Sequence, residues 1–137
     1  MSAETFVDSN ILLYACSAAT EDAAKQHKAE SLILNISFAV STQVVQEIIA
    51  NALRKSALGI SETGIDSALE LLSNVQVLPV TLELVINAVA LRRRFQISHW
   101  DSTILAAALE LGCHTLYSED LSHGQYFDGV QIINPFL

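Results

Sequence analysis

Breakers are scarce in this chain of 137 residues, which has five glycines and two prolines, Pro79 and Pro135. That scarcity excludes a linker-joined or low-complexity organisation, and a single domain over residues 1–137 is expected. Only two cysteines occur, Cys16 and Cys113, each inside an apolar stretch. A disulfide scaffold is thereby excluded, and buried free thiols in a reducing cytosol are expected. Basic residues are few as well: seven Lys and Arg against fifteen Asp and Glu, a formal net charge of −8. This excludes a large basic surface for duplex DNA, because phosphate binding depends on Lys and Arg. A metal ion can still supply positive charge locally. No apolar run reaches the roughly 18 residues needed to span a bilayer. The N-terminus lacks a basic segment followed by an apolar one, so no signal peptide is expected and the location is read as cytoplasmic.

Apolar side chains are abundant. Hydrophobic residues make up 51% and charged residues 16%, and the mean hydropathy is +0.39. Such a chain can fold around a sizeable core. With no span to absorb the excess, it belongs in a two-sided core or an interface.

Short strand-like runs alternate with helix-like runs. Thr5–Val7 is β-prone and ends at Asp8; Asn10 can cap the apolar run Ile11–Ala15. Helix is expected over Glu21–Leu34, with Ala24, His27 or Lys28, Ser31 and Leu32 at helical spacing. A second strand covers Ser37–Val40. Ser41 or Thr42 caps the next helix, whose apolar face is Val44, Val45, Ile48, Ile49, Ala52 and Leu53. Gly59 interrupts, and Ser61–Leu72 resumes the helical period. Val75–Val80 is a third strand, Leu82–Phe95 a helix, and His99–Leu111 another that ends at Gly112. Thr115–Tyr117 and Val130–Ile133 complete five strands, with a turn at Asp128-Gly129. Strand–helix alternation predicts an α/β fold with parallel strands covered on both faces. Ligands then sit beyond the carboxyl ends of the strands.

Four carboxylates fall where that rule directs attention. Asp8 ends strand one, Glu47 lies early in the helix after strand two, Asp101 opens the helix leading into strand four, and Asp120 follows strand four. Each also has a plainer reading: Asp8 as a helix cap, Glu47 as a solvent-facing residue, Asp101 as a partner of the positive helix end, Asp120 as a turn former. Together they form one acidic edge. Converging carboxylates repel and resist burial as anions, and a hard cation removes that conflict. Mg²⁺ and Mn²⁺ both suit carboxylate and water ligands. Such an ion acidifies bound water and neutralises charge on a phosphate, so the chemistry expected is metal-assisted phosphodiester hydrolysis.

Four segments then resemble one family in order. Phe6-Val7-Asp8-Ser9-Asn10-Ile11-Leu12 resembles the opening motif of PIN-domain nucleases. Ser41-Thr42-Gln43-Val44-Val45-Gln46-Glu47 is similar to their second acidic motif, and His99-Trp100-Asp101-Ser102-Thr103-Ile104-Leu105-Ala106-Ala107-Ala108 to the third. Ser118-Glu119-Asp120-Leu121 resembles the fourth, as spelled in VapC-like toxins. The resemblance implies a three-layer α/β/α PIN-like domain with a central five-stranded parallel sheet. It further implies a Mg²⁺- or Mn²⁺-dependent endoribonuclease, the toxin of a toxin–antitoxin pair with a cognate antitoxin as partner. Asp8, Glu47, Asp101 and Asp120 would be the catalytic and metal-holding acids. Glu119 rivals Asp120, because strand alternation turns only one of them inward. Asn10 and Ser118 would be supporting polar residues.

Arg92, Arg93 and Arg94 form the main basic cluster. They read either as a solvated helix end or as RNA phosphate contacts. His99 and His123 read as polar surface residues, and Trp100 as a packing residue rather than a base-stacking platform. Apolar helix faces beyond the needs of one core suggest a homodimer and an antitoxin-receiving surface. Two other functions compete. One is a phosphatase or phosphotransferase with Asp8 as nucleophile, although Asp8-Ser9-Asn10 lacks a second Asp and no Lys follows strand three or four. The other is a PIN-like binding module without turnover.

Overall fold

A computed structural model of the protein describes residues 3–137. In chain order the elements are β1 (Thr5–Val7), α1 (Ser9–Cys16), a 3₁₀ turn (Thr20–Asp22), α2 (Ala23–Asn35), β2 (Ala39–Ser41) and α3 (Thr42–Arg54). A second 3₁₀ turn (Ser56–Leu58) follows, then α4 (Glu62–Leu72), β3 (Gln76–Leu78), α5 (Leu82–Phe95) and α6 (His99–Glu110). The chain closes with β4 (Thr115–Tyr117), β5 (Tyr126–Phe127) and β6 (Val130–Ile133).

The sheet order is β3-β2-β1-β4-β6-β5. All five expected strands pair in parallel. The sheet nevertheless has six strands: the two-residue β5 adds an antiparallel edge to β6. Asp128 and Gly129 both have positive φ, 51° and 95°, as a two-residue hairpin turn requires. That turn was expected; the strand before it was too short for sequence pattern to show. The chain moves from β1 outward to β2 and β3, then returns to the far side of β1 as β4. Adjacent β1 and β4 therefore flank the topological switch point, where open α/β sheets place their ligands.

Helices pack as two groups, α1 against α2 and α3 with α4 joining α3, and α5 against α6. Right-handed crossovers put these groups on opposite faces of the sheet. Phe6, Val7, Ile11, Val40, Val44, Leu84, Leu105, Leu116, Phe127 and Ile132 form the buried centre. In α6, every residue from Ser102 to Ala108 is buried. Alanines allow it to lie close to the sheet while α5 covers its outer side. The Ser102 and Thr103 hydroxyls donate back to the carbonyls of Ser98 and His99, so burying them leaves no unmet donor.

Two local expectations are corrected. Helix α1 starts two residues before Ile11, with Asp8 as its N-cap rather than Asn10; the strand passes straight into the helix without a loop. In α2 the fully buried position is Ala29, and Ala24, Lys28 and Ser31 face solvent. Its weak apolar pattern left the inward face ambiguous. Ser41, and not Thr42, caps α3 through its side chain. Both cysteines are free, with Cys113 buried and Cys16 half-buried.

Candidate functional site

Asp8 leaves β1 at the switch point, where its backbone N–H donates to Tyr117 O of β4 at 3.0 Å. Its side chain is 3% exposed. Oδ1 accepts from Ser9 N at 2.7 Å, and Oδ2 accepts from Ser118 Oγ at 2.8 Å. Ser118 leaves β4, is fully buried, and accepts from the Asp120 N–H at 3.1 Å. One hydroxyl thus fixes Asp8 and the backbone that carries Asp120.

Glu47 reaches the site from the second turn of α3. Ser9 Oγ donates to Glu47 Oε1 at 3.2 Å and lies 3.5 Å from Asp8 Oδ1. A single hydroxyl proton serves one acceptor at a time, and the shorter distance assigns it to Glu47. Asp101 stands in the first turn of α6, whose N-cap Ser98 accepts from the Asp101 N–H at 3.1 Å.

These carboxyls lie near enough to act on one another electrostatically. Burial pushes the Asp8 carboxyl from 3.8 up to about 7, opposed by the Ser118 and Ser9 hydrogen bonds and reinforced by Asp120 and Glu47. Burial also raises Glu47, with Asp120 and Asp101 adding repulsion against the lowering effect of Ser9 and Gln43. Asp101 is raised by burial and by Asp120, and lowered by Ser98. Asp120 is the one charge that bears on all three others.

Glu119 points elsewhere. It accepts from Tyr14 Oη at 2.9 Å and from Lys25 Nζ at 2.6 Å. Lys25 also stands over the Tyr14 and Phe136 rings, 4.7 and 5.3 Å from their centroids. Glu119 is thus engaged by Lys25 and Tyr14, whereas Asp120 is the neighbour whose charge acts on Asp8. Asn10 accepts from Glu119 N through Oδ1 at 3.3 Å, while its Nδ2 is buried without an acceptor.

Four oxygen-bearing acids meet here, yet they do not form a closed cage. Among the described residues, no three His, Cys, Asp or Glu side chains stand close enough to hold a metal ion jointly. The donor set still fits a hard cation that keeps several waters and takes only one or two carboxylates directly. Such an ion would offset the burial and the mutual repulsion that raise these carboxyls.

Sequence reasoning did not single out Ser9 or Gln43, although both lie inside the quoted segments. A hydroxyl directly after a strand-end acid was the available signal for Ser9. Trp100 is a correction: it is 65% exposed, its ring edge-on to His99 at 5.0 Å, and it does not pack in the core. Arg92, Arg93 and Arg94 are exposed at the last turn of α5. Arg94 Nη1 pairs with Asp128 at 2.8 Å. Asp128 sits in the turn at the amino end of β6, across the sheet from the carboxylates. His123 is exposed, and its Nδ1 accepts from Asn134 N at 3.0 Å.

A model of the PIN domain family matches residues 5–126. No curated protein sequence matches the chain. Among solved structures, a toxin–antitoxin complex from Klebsiella pneumoniae is similar with a TM-score of 0.68 and 18% identity, over 96% of this chain and 97% of that one. VapC20 of Mycobacterium tuberculosis, described as a sarcin-ricin loop cleaving toxin, gives 0.68 and 20%, over 85% and 91%. VapBC2 of Rickettsia felis, bound to a DNA fragment from its promoter, gives 0.63 and 18%, over 93% and 96%. At such identities the likeness is one of fold.

Proposed function

The chain belongs to the PIN domain family, and we propose that it is a Mg²⁺- or Mn²⁺-dependent endoribonuclease, the toxin component of a toxin–antitoxin pair. The carrying observation is the buried Asp8 at the switch point, held by Ser9 and Ser118, with Glu47 joined through Ser9 and with Asp101 and Asp120 near enough to act on these acids electrostatically. These four would hold the ion. When bound, the ion supplies a more acidic water and neutralises charge building on the phosphate.

The chain's own residues supply position. Ser118 and the Ser9 N–H fix both Asp8 oxygens, and Ser9 Oγ holds Glu47 beside them. These hydrogen bonds favour the ionised carboxylates against the cost of burial. The unpaired Asn10 Nδ2 is a donor suited to a phosphate oxygen of the substrate. Arg92 and Arg93 are free to meet RNA phosphates away from the cut, whereas Arg94 is already paired.

The partners in this reading are RNA, a cognate antitoxin and a second copy of the chain. A basic antitoxin segment complements the net charge of −8. Leu82 and Ile86, four residues apart on α5, are 76% and 60% exposed and mark the proposed dimer face. The location is proposed as cytoplasmic. No helix among the described residues is long and apolar enough to cross a membrane.

The test compares wild type, Asp8→Asn and Asp101→Asn on labelled RNA with Mg²⁺, Mn²⁺ or EDTA. Cleavage by wild type alone, and only with metal, is expected. Equal cleavage by all three proteins removes the assignment; phosphate bound covalently to Asp8 would point to a phosphatase, and binding without any cleavage to a silent module.

A further inference from the structure

Beside the acids lies a second feature. A cleft of about 510 Å³ opens between the N-terminal turns of α3 and α6, and Glu47 forms part of its wall. That volume falls in the range of about 300–1,000 Å³ common for small-ligand sites. Val80 lines it, as do Gln43, Gln46, His99 and the exposed indole of Trp100. Gln43 Nε2 donates to Trp100 O at 3.2 Å, which ties the two helices together at the cleft. Gln43 Oε1 is buried with no donor. A buried acceptor without a partner is costly unless a ligand supplies an N–H or O–H.

We infer that this cleft takes one unpaired nucleobase of the RNA strand, stacked on Trp100 and read through Gln43. The assignment rests on the ribonuclease reading of the adjacent acids and names how their substrate is selected. An indole gives a flat apolar face that accepts any base, and stacking of this kind works on single strands. A carboxamide can hydrogen-bond a base edge, and every base carries at least one N–H donor for Gln43 Oε1 once the side chain turns that oxygen from its buried position into the cleft. Glu47 belongs both to the cleft wall and to the acidic set, so a base bound here belongs to a nucleotide near the cut. A protein side chain could fill the apolar part. An unpaired buried acceptor and a neighbouring amide favour a base.

Trp100 is the only tryptophan of the chain, so intrinsic fluorescence reports on this cleft alone. The experiment uses Asp8→Asn protein, to prevent cutting. It is titrated with short oligouridylate, oligoadenylate, an abasic ribose-phosphate strand of equal length, and an RNA duplex. Saturable quenching by the base-bearing single strands, and none by the abasic strand or duplex, is expected. In anisotropy titrations, adding Trp100→Ala should weaken binding of base-bearing strands by about five- to 150-fold, and Trp100→Phe should restore most of it. Gln43→Leu should change the ratio of affinities between the two sequences. Equal affinity for abasic and base-bearing strands overturns the proposal, as does unchanged affinity in Trp100→Ala. Quenching that follows protein concentration alone, with a rise in mass, assigns the cleft to a second copy instead. If wild type cuts no RNA but the base-dependent quenching persists, the ribonuclease reading fails and the base site stands.

Discussion

Asp8 meets two opposed requirements. Burial favours its neutral form, whereas holding a cation requires the ionised one. Raising its pKa from 3.8 to about 7 means that the folded, metal-free chain keeps a proton which the unfolded chain releases between those values. The stability this contributes is full below the unfolded pKa and is lost as pH rises through 7. Glu47 and Asp101 are raised as well and act in the same sense. In EDTA, Asp8→Asn should therefore gain about 2–3 kcal/mol of stability relative to wild type between pH 5 and pH 8. Thermal melts at the two pH values read this directly; no such gain would contradict it. At the same scale, Glu119 and Asp120 were indistinguishable neighbours in sequence. Lys25, distant in sequence, separates them. Glu119→Gln should leave cleavage within about threefold, since a partly exposed ion pair contributes little, whereas Asp120→Asn should lower it by roughly two orders of magnitude or more. Initial-rate assays on one labelled RNA decide between the two.

At the level of elements, side-chain caps set the stage for the acids. Ser41, Thr81 and Ser98 each accept a backbone N–H at the start of α3, α5 and α6. Ser98 does so from Asp101 itself. Ser98→Ala should cost about 0.5–2 kcal/mol of stability and lower cleavage beyond that loss, because the turn carrying Asp101 is released. Ser61→Ala, at the cap of the remote helix α4, should cost similar stability with cleavage unchanged. Denaturant melts paired with rates distinguish these outcomes. Helix α5 ends on Gln96 in the left-handed region, with φ of 56°. The chain reverses there into α6 without a glycine, and sequence pattern offered no sign of it. The α1 boundary is hidden for a related reason: a helix cap ordinarily follows a loop, and at this junction Asp8 caps the helix directly after β1.

For the whole molecule, net charge and metal act together. The acidic edge sits within a chain of net charge −8, so cation binding should stabilise the fold globally. Mg²⁺ at about 100 times its Kd should add about 2.7 kcal/mol. The rise in Tm should be larger at pH 8 than at pH 5, where protons compete for the same carboxylates. Calorimetry with Mg²⁺ and EDTA tests this, and no pH dependence of the shift would count against the site. Dimerisation is tested at the same scale. Sedimentation should give about twice 14.9 kDa, falling to the monomer in Leu82→Glu/Ile86→Glu.

Sequence alone determined the α/β class, the five parallel strands, most helix starts and the order of the acids. These rest on local physics: apolar period, capping hydroxyls and β-propensity act over a few residues and leave a readable pattern. Only the tertiary structure decided that β1 and β4 are neighbours and that Glu119 is taken up by Lys25 and Tyr14. It likewise decided that Ser9 joins Asp8 to Glu47, that Trp100 stands open beside Glu47, and that Arg94 is committed to Asp128. Each of those outcomes depends on contacts between residues far apart in the chain, and on which of two neighbouring side chains finds a distant partner. No local pattern records that choice, because it is settled only when the sheet closes and brings the strand ends together.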